Sequence, residues 1–309
     1  MKLVFITGIE GFVGTHLARR LSEDGYGVTG LHWTEPSGQI PADLHHGDIC
    51  DFEQTKALLE RTKPDAIVHL AGLTSVATSE THILTTHEVN TLGTLKLLEA
   101  VHQLKLGCRV LLITSADVYG RSNLGRPLTE DDLPLPVSPY ALSKLFAGEA
   151  GRFYHRAFDM DVVILRPFSH TGPGQAPNFI FPKVAQAIAR IEQGKRDPVI
   201  EMGNLEVRRD YTDVRDMVRA YSLALTRCKA GESYNVTSGK PVLLKESVDH
   251  LCSLAKTPVT IKSSAKQFRA HDIPILTGDS TKFQAATGWS PEIPFTQTLS
   301  DLLDYYRGQ

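Results

Sequence analysis

The sequence predicts an α/β protein: a doubly wound parallel sheet followed by a smaller C-terminal unit. Three observations carry that expectation. Short apolar runs alternate with helical periodicity through the first half of the chain, as βαβ units require. A run of glycines stands between the first strand and the first helix. After Arg166 the rhythm breaks at Pro167, Gly172, Pro173, Gly174, Pro177 and Pro182, which marks a boundary near residue 168. A chain of 309 residues has the length of about two domains.

Each element can be justified in order. Leu3–Thr7 is a short apolar run that leads straight into Gly8, Gly11 and Gly14. It carries no cleavage-site pattern and reads as a strand, not as a signal peptide. Apolar spacing predicts a helix from Phe12 to about Glu23, a strand over Gly27–His32, a helix over Phe52–Arg61 and a buried strand over Ala66–Leu70. Ile83–Leu104 has unbroken helical periodicity, Arg109–Thr114 is a strand, Ser138–Phe158 a helix and Val162–Arg166 a strand. Asp131–Pro139 holds three prolines and reads as a loop, with Ser138 as N-cap and Pro139 at the first helical position. Further helices are expected near 180–193, 213–227, 244–255 and 296–307. Residues 1–168 are assigned to the first domain, with 210–236 returning to it. Residues 169–209 and 237–309 are assigned to the second.

Composition narrows the function. Hydrophobic residues are 41% and charged residues 22%, ordinary for a folded enzyme-sized chain. A net charge of −2 argues against nucleic acid or an anionic membrane as the main partner. No apolar run reaches the ~20 residues needed to span a bilayer. Cys50, Cys108, Cys228 and Cys252 are scattered and read as reduced thiols, so a cytoplasmic protein is expected. His45, His46 and Cys50, and the pair His82 and His87, lack zinc-ligand spacing, so no metal is expected.

The glycine segment reads Thr7-Gly8-Ile9-Glu10-Gly11-Phe12-Val13-Gly14. Between a strand and a helix, such a loop suits a dinucleotide. The glycines permit a tight turn and close backbone approach, and the helix N-terminus offers N–H groups to pyrophosphate. Gly8, Gly11, Phe12, Val13 and Gly14 are therefore candidate cofactor residues. The second strand ends Leu31-His32-Trp33 with no acid before Glu35. An acid there favours the ribose 2′-hydroxyl of NAD. Its absence makes NADP(H) the preferred expectation, with NAD(H) possible and His32 a candidate contact. Asp48 and Ile49, after Gly47, suit adenine, and Leu70, Ala71 and Gly72 close the same crevice.

Tyr140 and Lys144 stand at i and i+4 and share one helix face. A lysine ammonium beside a phenol lowers the tyrosine pKa from about 10 toward working pH. Such a tyrosine can exchange a proton with a carbonyl or hydroxyl oxygen. Ser115, at the end of a neighbouring strand, can hold the same oxygen. Together with the glycine loop, this is equipment for hydride transfer at a carbinol carbon.

These segments resemble the extended branch of the short-chain dehydrogenase/reductase superfamily, whose members act on nucleotide sugars. The resemblance runs nearly end to end. It is carried by TGIEGFVG at 7–14, HLAG at 69–72, ITSADVYG at 113–120, SPYALSK at 138–144, RPFSHTGPGQ at 166–175, GNLEVRRDYTDVRD at 203–216, YNV at 234–236 and TGWSP at 287–291. It implies a Rossmann domain holding NAD(P) and a smaller nucleotide-sugar domain. It places Tyr140 as acid/base, Lys144 as the residue tuning it at the nicotinamide ribose, and Ser115 on the reacting oxygen. Asp117 falls where related dehydratases carry a glutamate base and Ala116 where they can carry an acid, so a dehydratase is less well matched. Arg209 and Arg269 fall on positions that clamp the substrate's nucleotide or diphosphate. Ser169 replaces a usual asparagine, and Asn178 and Asn204 join the substrate-side candidates. His170 beside them reads as structural. Segments 166–175 and 203–216 resemble the reductases of GDP-4-keto-6-deoxymannose. They imply a GDP-linked 4-keto-6-deoxy sugar as substrate, with a nucleotide-sugar 4-epimerase or GDP-mannose 4,6-dehydratase as the alternative. The apolar surplus on helices 83–104 and 139–157 implies a homodimer through a four-helix bundle.

Overall fold

The computed structural model describes residues 2–36, 38–121, 125–264 and 273–309. The first half alternates as the periodicity predicts, with a short polar strand over Asp43–His46 and a short helix over Val76–Thr81 that the pattern does not show. Its elements are β1 (Leu3–Thr7), α1 (Phe12–Glu23), β2 (Gly27–His32), β3 (Asp43–His46), α2 (Phe52–Thr62), β4 (Ala66–His69), α3 (Val76–Thr81) and α4 (Ile83–His87). A π-helical turn over Glu88–Leu92 then leads to α5 (Gly93–Gln103), β5 (Arg109–Ile113), α6 (Pro139–Phe158) and β6 (Val162–Pro167). Side-chain caps fix several helix starts. Asp51 accepts from Gln54 N at 3.0 Å at the head of α2, and Ser138 accepts from Ala141 N at 3.1 Å at the head of α6, followed by Pro139.

Beyond β6 the chain forms β7 (Ser169–Thr171), α7 (Ile180–Glu192), β8 (Val199–Met202), β9 (Arg208–Asp213), α8 (Val214–Arg227) and β10 (Ser233–Val236). It ends with β11 (Pro241–Leu243), α9 (Leu244–Ser253), β12 (Thr260–Ser263), β13 (Ile275–Leu276), α10 (Thr281–Thr287) and α11 (Phe295–Arg307).

Seven strands make one parallel sheet in the order β10-β6-β5-β4-β1-β2-β3. Helices cover both faces, so its inner strands are buried throughout and read as continuous apolar runs. On one face Leu17 and Leu21 of α1 and Met217 and Tyr221 of α8 pack over Val4, Ile6 and Val68. On the other, Leu59 of α2, Leu97 and Val101 of α5 and Tyr154 of α6 pack over Phe5, Ile67 and Val110. A separate core joins α7, α9 and α11 through Phe181, Ile188, Val248, Leu251 and Leu302. Beside it β9 pairs with β11, β13 and β7, and β8 with β12.

Three differences from the sequence reading have physical causes. The helix expected over 83–104 is divided by the π turn, which carries the buried Asn90. The strands β7 to β13 are too short, at two to six residues, to show a period of their own. Finally, β9 lies in the smaller sheet, so the return to the large sheet begins at Val214 and not at residue 210. From β1 the chain runs outward to β2 and β3, then crosses back through α2 to β4 on the other side of β1. A crevice therefore opens beyond the carboxyl ends of these strands.

Among the described residues, no helix is long and apolar enough to cross a membrane, and no cluster of histidine, cysteine, aspartate or glutamate could hold a metal. All four cysteines are free thiols.

Candidate active site

The glycine loop lies at the mouth of that crevice. Gly8 takes a positive φ of 69°, and a Cβ there would fall 2.9 Å from the backbone of Ala71. A Cβ on Gly14 would fall 2.5 Å from Gly8 O, so α1 can seat against the loop only without a side chain at this position. Gly11 caps α1 with no side-chain hydrogen bond. The first N–H groups of the helix thus face outward with the dipole behind them, a fit for pyrophosphate. Phe12 and Val13 start the helix, and both pack on the core beneath it.

Phe12 also stacks on His170 (6.3 Å between centroids, 12° between planes), and His16 Nε2 lies 2.8 Å from Pro173 O. These contacts hold the segment after β6 against the start of α1. Burial lowers the pKa of both His16 and His170, which suits neutral packing roles.

The ends of β1 and β4 are joined by Thr7. Its hydroxyl accepts from Leu70 N at 3.2 Å and Ala71 N at 3.1 Å, and lies 2.7 Å from His69 Nδ1. His69 is buried, and burial with the nearby Lys144 charge pushes its pKa down to about 3, so the ring is neutral. Its Nε2 meets Thr94 Oγ1 at 2.9 Å, and that hydroxyl donates to Asn90 O at 2.6 Å. Asn90 accepts from Leu73 N at 2.8 Å and donates to Ser143 Oγ at 3.0 Å, and Ser143 donates to Tyr140 O at 2.7 Å. Gly72 lies in the same bend, where a Cβ would sit 2.8 Å from Asn90 Oδ1 and 3.5 Å from Lys144 Nζ.

Ser115, Tyr140 and Lys144 meet at the carboxyl ends of β5 and β4, all buried. The Tyr140 hydroxyl shares a hydrogen bond with Ser115, and Lys144 Nζ donates to Ile113 O at 3.0 Å. Ser115 also caps a short 3₁₀ turn over Ala116–Tyr119, accepting from Asp117 N at 3.1 Å. The tyrosine does not shift downward as expected. Burial and the Asp117 carboxylate hold the Tyr140 phenol well above its ordinary pKa, while the Ser115 bond opposes them more weakly. Burial lowers Lys144 itself to about 8. The arrangement can hold a carbonyl oxygen between two hydroxyls and donate a proton to it.

The remaining candidates are spread more widely. His32 is buried; its Nδ1 lies 3.2 Å from Thr34 O and its ring packs edge-on against His46, so it is turned away from the position expected of it. Asp48 spends one oxygen on Cys50 N at 2.8 Å, an Asx turn that leads into α2, and Ile49 is buried in the core. Ser169 opens β7 opposite Tyr211 of β9. Arg209 of β9 donates to Arg208 O at 2.8 Å and Ile273 O at 2.6 Å. Asn178 is exposed ahead of α7. Asn204 accepts from Glu206 N at 3.0 Å and lines a cleft of about 600 Å³ with Met202, Lys245 and Ile261. Arg269 lies outside the described residues.

Sequence reasoning passed over Glu10, Thr7, His69 and Asn90. Only Asn90 left a readable sign: Thr86, Asn90 and Thr94 make a buried polar stripe at four-residue spacing on an otherwise apolar helix face. Glu10 left none, because its partners, the N–H groups of Trp33 (2.9 Å) and Thr34 (3.3 Å), are more than twenty residues away.

Comparison with known proteins agrees with this geometry. The family model described as GDP-mannose 4,6 dehydratase matches residues 5–302. The chain is 34% identical to a GDP-6-deoxy-D-mannose reductase of Pseudomonas aeruginosa, over 97% of this chain and 95% of that one. It is 31% identical to a GDP-6-deoxy-D-talose 4-dehydrogenase of Aggregatibacter actinomycetemcomitans, over 99% and 97%. The solved structure of RMD from Pseudomonas aeruginosa complexed with NADPH superposes with a TM-score of 0.88 at 32% identity, covering 100% of this chain and 99% of the other. With its glycine loop, its Ser115–Tyr140–Lys144 cluster and a family match over nearly its whole length, the chain belongs to the GDP-mannose 4,6-dehydratase family of extended short-chain dehydrogenases/reductases.

Proposed function

We propose that this protein reduces the 4-keto group of GDP-4-keto-6-deoxy-D-mannose to give GDP-6-deoxy-D-mannose (GDP-D-rhamnose), with a reduced nicotinamide dinucleotide as cofactor. The observation that carries the reading is the burial of Ser115, Tyr140 and Lys144 as one cluster beside the glycine loop. Similarity to a GDP-6-deoxy-D-mannose reductase supports the substrate class. Gly8, Gly11 and Gly14 with the head of α1 would hold the pyrophosphate of the cofactor, which when bound would supply the hydride for C4.

The chain's own residues handle the proton. A phenol held above its ordinary pKa keeps its proton until a stronger base, the developing C4 alkoxide, is within reach. Ser115 holds the same oxygen. The Lys144 ammonium stabilises the phenolate that remains. Arg209, and Arg269 from outside the described residues, clamp the diphosphate, with Ser169, Asn178 and Asn204 on the sugar and nucleotide. Ala116 and the short Asp117 disfavour the dehydratase alternative.

Leu142, Phe146 and Phe153 are exposed along one face of α6, and Leu84 and Leu92 are exposed near α4 and α5. An apolar face of this extent favours a homodimer through these helices.

Reduced dinucleotide is expected to be oxidised, read by nicotinamide absorbance, only with the GDP-linked keto sugar; a Tyr140→Phe protein loses roughly 10²–10⁴-fold in turnover yet binds cofactor normally. Turnover declines as pH is raised through about 8, where Lys144 loses its charge, whereas Tyr140, shifted upward, stays protonated in that range. A pH–rate profile flat across that range would remove Lys144's charge from the mechanism. Arg209→Ala raises KM for the nucleotide sugar by roughly 10–100-fold, the scale of a lost charged hydrogen bond, with cofactor affinity unchanged. Equal weakening of both ligands would make Arg209 structural. Sedimentation at micromolar concentration gives a dimer that Phe146→Glu converts to monomer, and a monomeric parent protein would refute the interface.

A further inference from the structure

We propose that Glu10 makes this protein prefer NADH to NADPH, by bringing to the end of β2 the carboxylate that the strand itself lacks. The inference rests on reading the glycine loop as the cofactor site. The premise of an acid-free strand end does not survive folding. Glu10 stands inside the loop, between Gly8 and Gly11, and reaches across to the first residues after β2. Its Oε1 accepts from Trp33 N at 2.9 Å and from Thr34 N at 3.3 Å. These two amides mark the place from which a strand-end acid meets an adenosine ribose.

The second oxygen points to the ligand. Glu10 Oε2 is buried and has no hydrogen-bond partner among the described residues. A buried carboxylate oxygen left so is costly, and a turn of the Glu10 side chain toward the crevice would let a hydroxyl donor satisfy it. The ribose of NADH offers one at the 2′ position. The 2′-phosphate of NADPH offers no hydroxyl there and brings a charge of about −1.5 to −2, which the carboxylate repels.

Surrounding charge points the same way. From Leu21 to Thr55 the chain contains no lysine or arginine, and neither does the loop from Gly8 to Gly14. A 2′-phosphate is ordinarily accommodated by an arginine near this strand end. Here the nearest charged neighbour along the chain is Glu35. Of the groups in that stretch able to carry positive charge, His32 is buried against Thr34 O and His46, His46 lies stacked under Trp33 at 6.0 Å, and His45 Nε2 lies 3.2 Å from the Asp43 carboxylate.

The test is equilibrium titration of the purified protein with NADH and with NADPH, without sugar, followed by nicotinamide fluorescence. NADH is expected to bind at least roughly tenfold more tightly, the scale of one lost charge-assisted contact. NADPH binding equally or more tightly overturns the inference and leaves the proposed reductase reading intact. If neither dinucleotide binds, the cofactor-site reading falls and takes the inference with it. Glu10→Gln keeps an acceptor for the two amides and removes the charge. The NADH preference should then shrink to within about threefold, chiefly through tighter NADPH binding. An unchanged preference in the folded variant means that Glu10 only caps the loop, and the proposal fails. Glu10→Ser provides a second substitution if the glutamine protein is unstable.

Discussion

One hydroxyl holds the functional half of this molecule together. Thr7, the last residue of β1, accepts two backbone N–H groups from the turn after β4 and faces His69. The direction of the bonds follows from the partners. Thr94 donates its own proton to Asn90 O, so His69 must donate from Nε2, and Thr7 must donate to Nδ1. The neutral ring is a requirement of that line, since a protonated imidazole would have no lone pair for the Thr7 hydroxyl. Burial, aided by Lys144, supplies the neutrality. Through Asn90 and Ser143 the same line reaches the backbone of Tyr140, so the glycine loop and the proton donor share a fixed reference.

The π turn is where this line is purchased. A helix with uniform geometry would carry Asn90 past the bend at Leu73; the wider turn over Glu88–Leu92 places its amide between that bend and α6. The direction of the pKa shift at Tyr140 then fits a reductive task. A donor that must hold its proton until an alkoxide forms gains from burial and from the Asp117 charge, whereas a base poised to accept would be hindered by both.

Five strands of the large sheet were legible because they are buried, largely apolar runs, and helices such as those from Phe12 and Pro139 have a clear face; the polar edge strand β3 and the short β10 were missed. Tyr140, Lys144 and Ser115 were legible because helix spacing and strand ends are local facts. Tertiary reach was not. Glu10 meets amides just past the end of β2, and the His32 ring is buried edge-on to His46. The shift at Tyr140 was misjudged for the same reason: spacing reports that a lysine is near but says nothing of how much water is lost. The strands of the smaller sheet were missed because runs such as Pro241–Leu243 and Ile275–Leu276 are too short to carry a pattern.

The path of the chain between its two cores has a consequence for assembly. It leaves the large sheet at Pro167, pairs β7 with β9, returns as α8 and β10, and leaves again at β11. A ribosome that has released only the residues through β6 has made six of the seven strands, with an open margin beside β6. The partner of β6 and the helix that covers α1 are still to come. Until Ser233–Val236 arrives, that margin is an unpaired edge able to recruit any extended segment nearby. The sheet therefore closes at Ser233–Val236 while α9 and α11, which complete the smaller core, are still to be made.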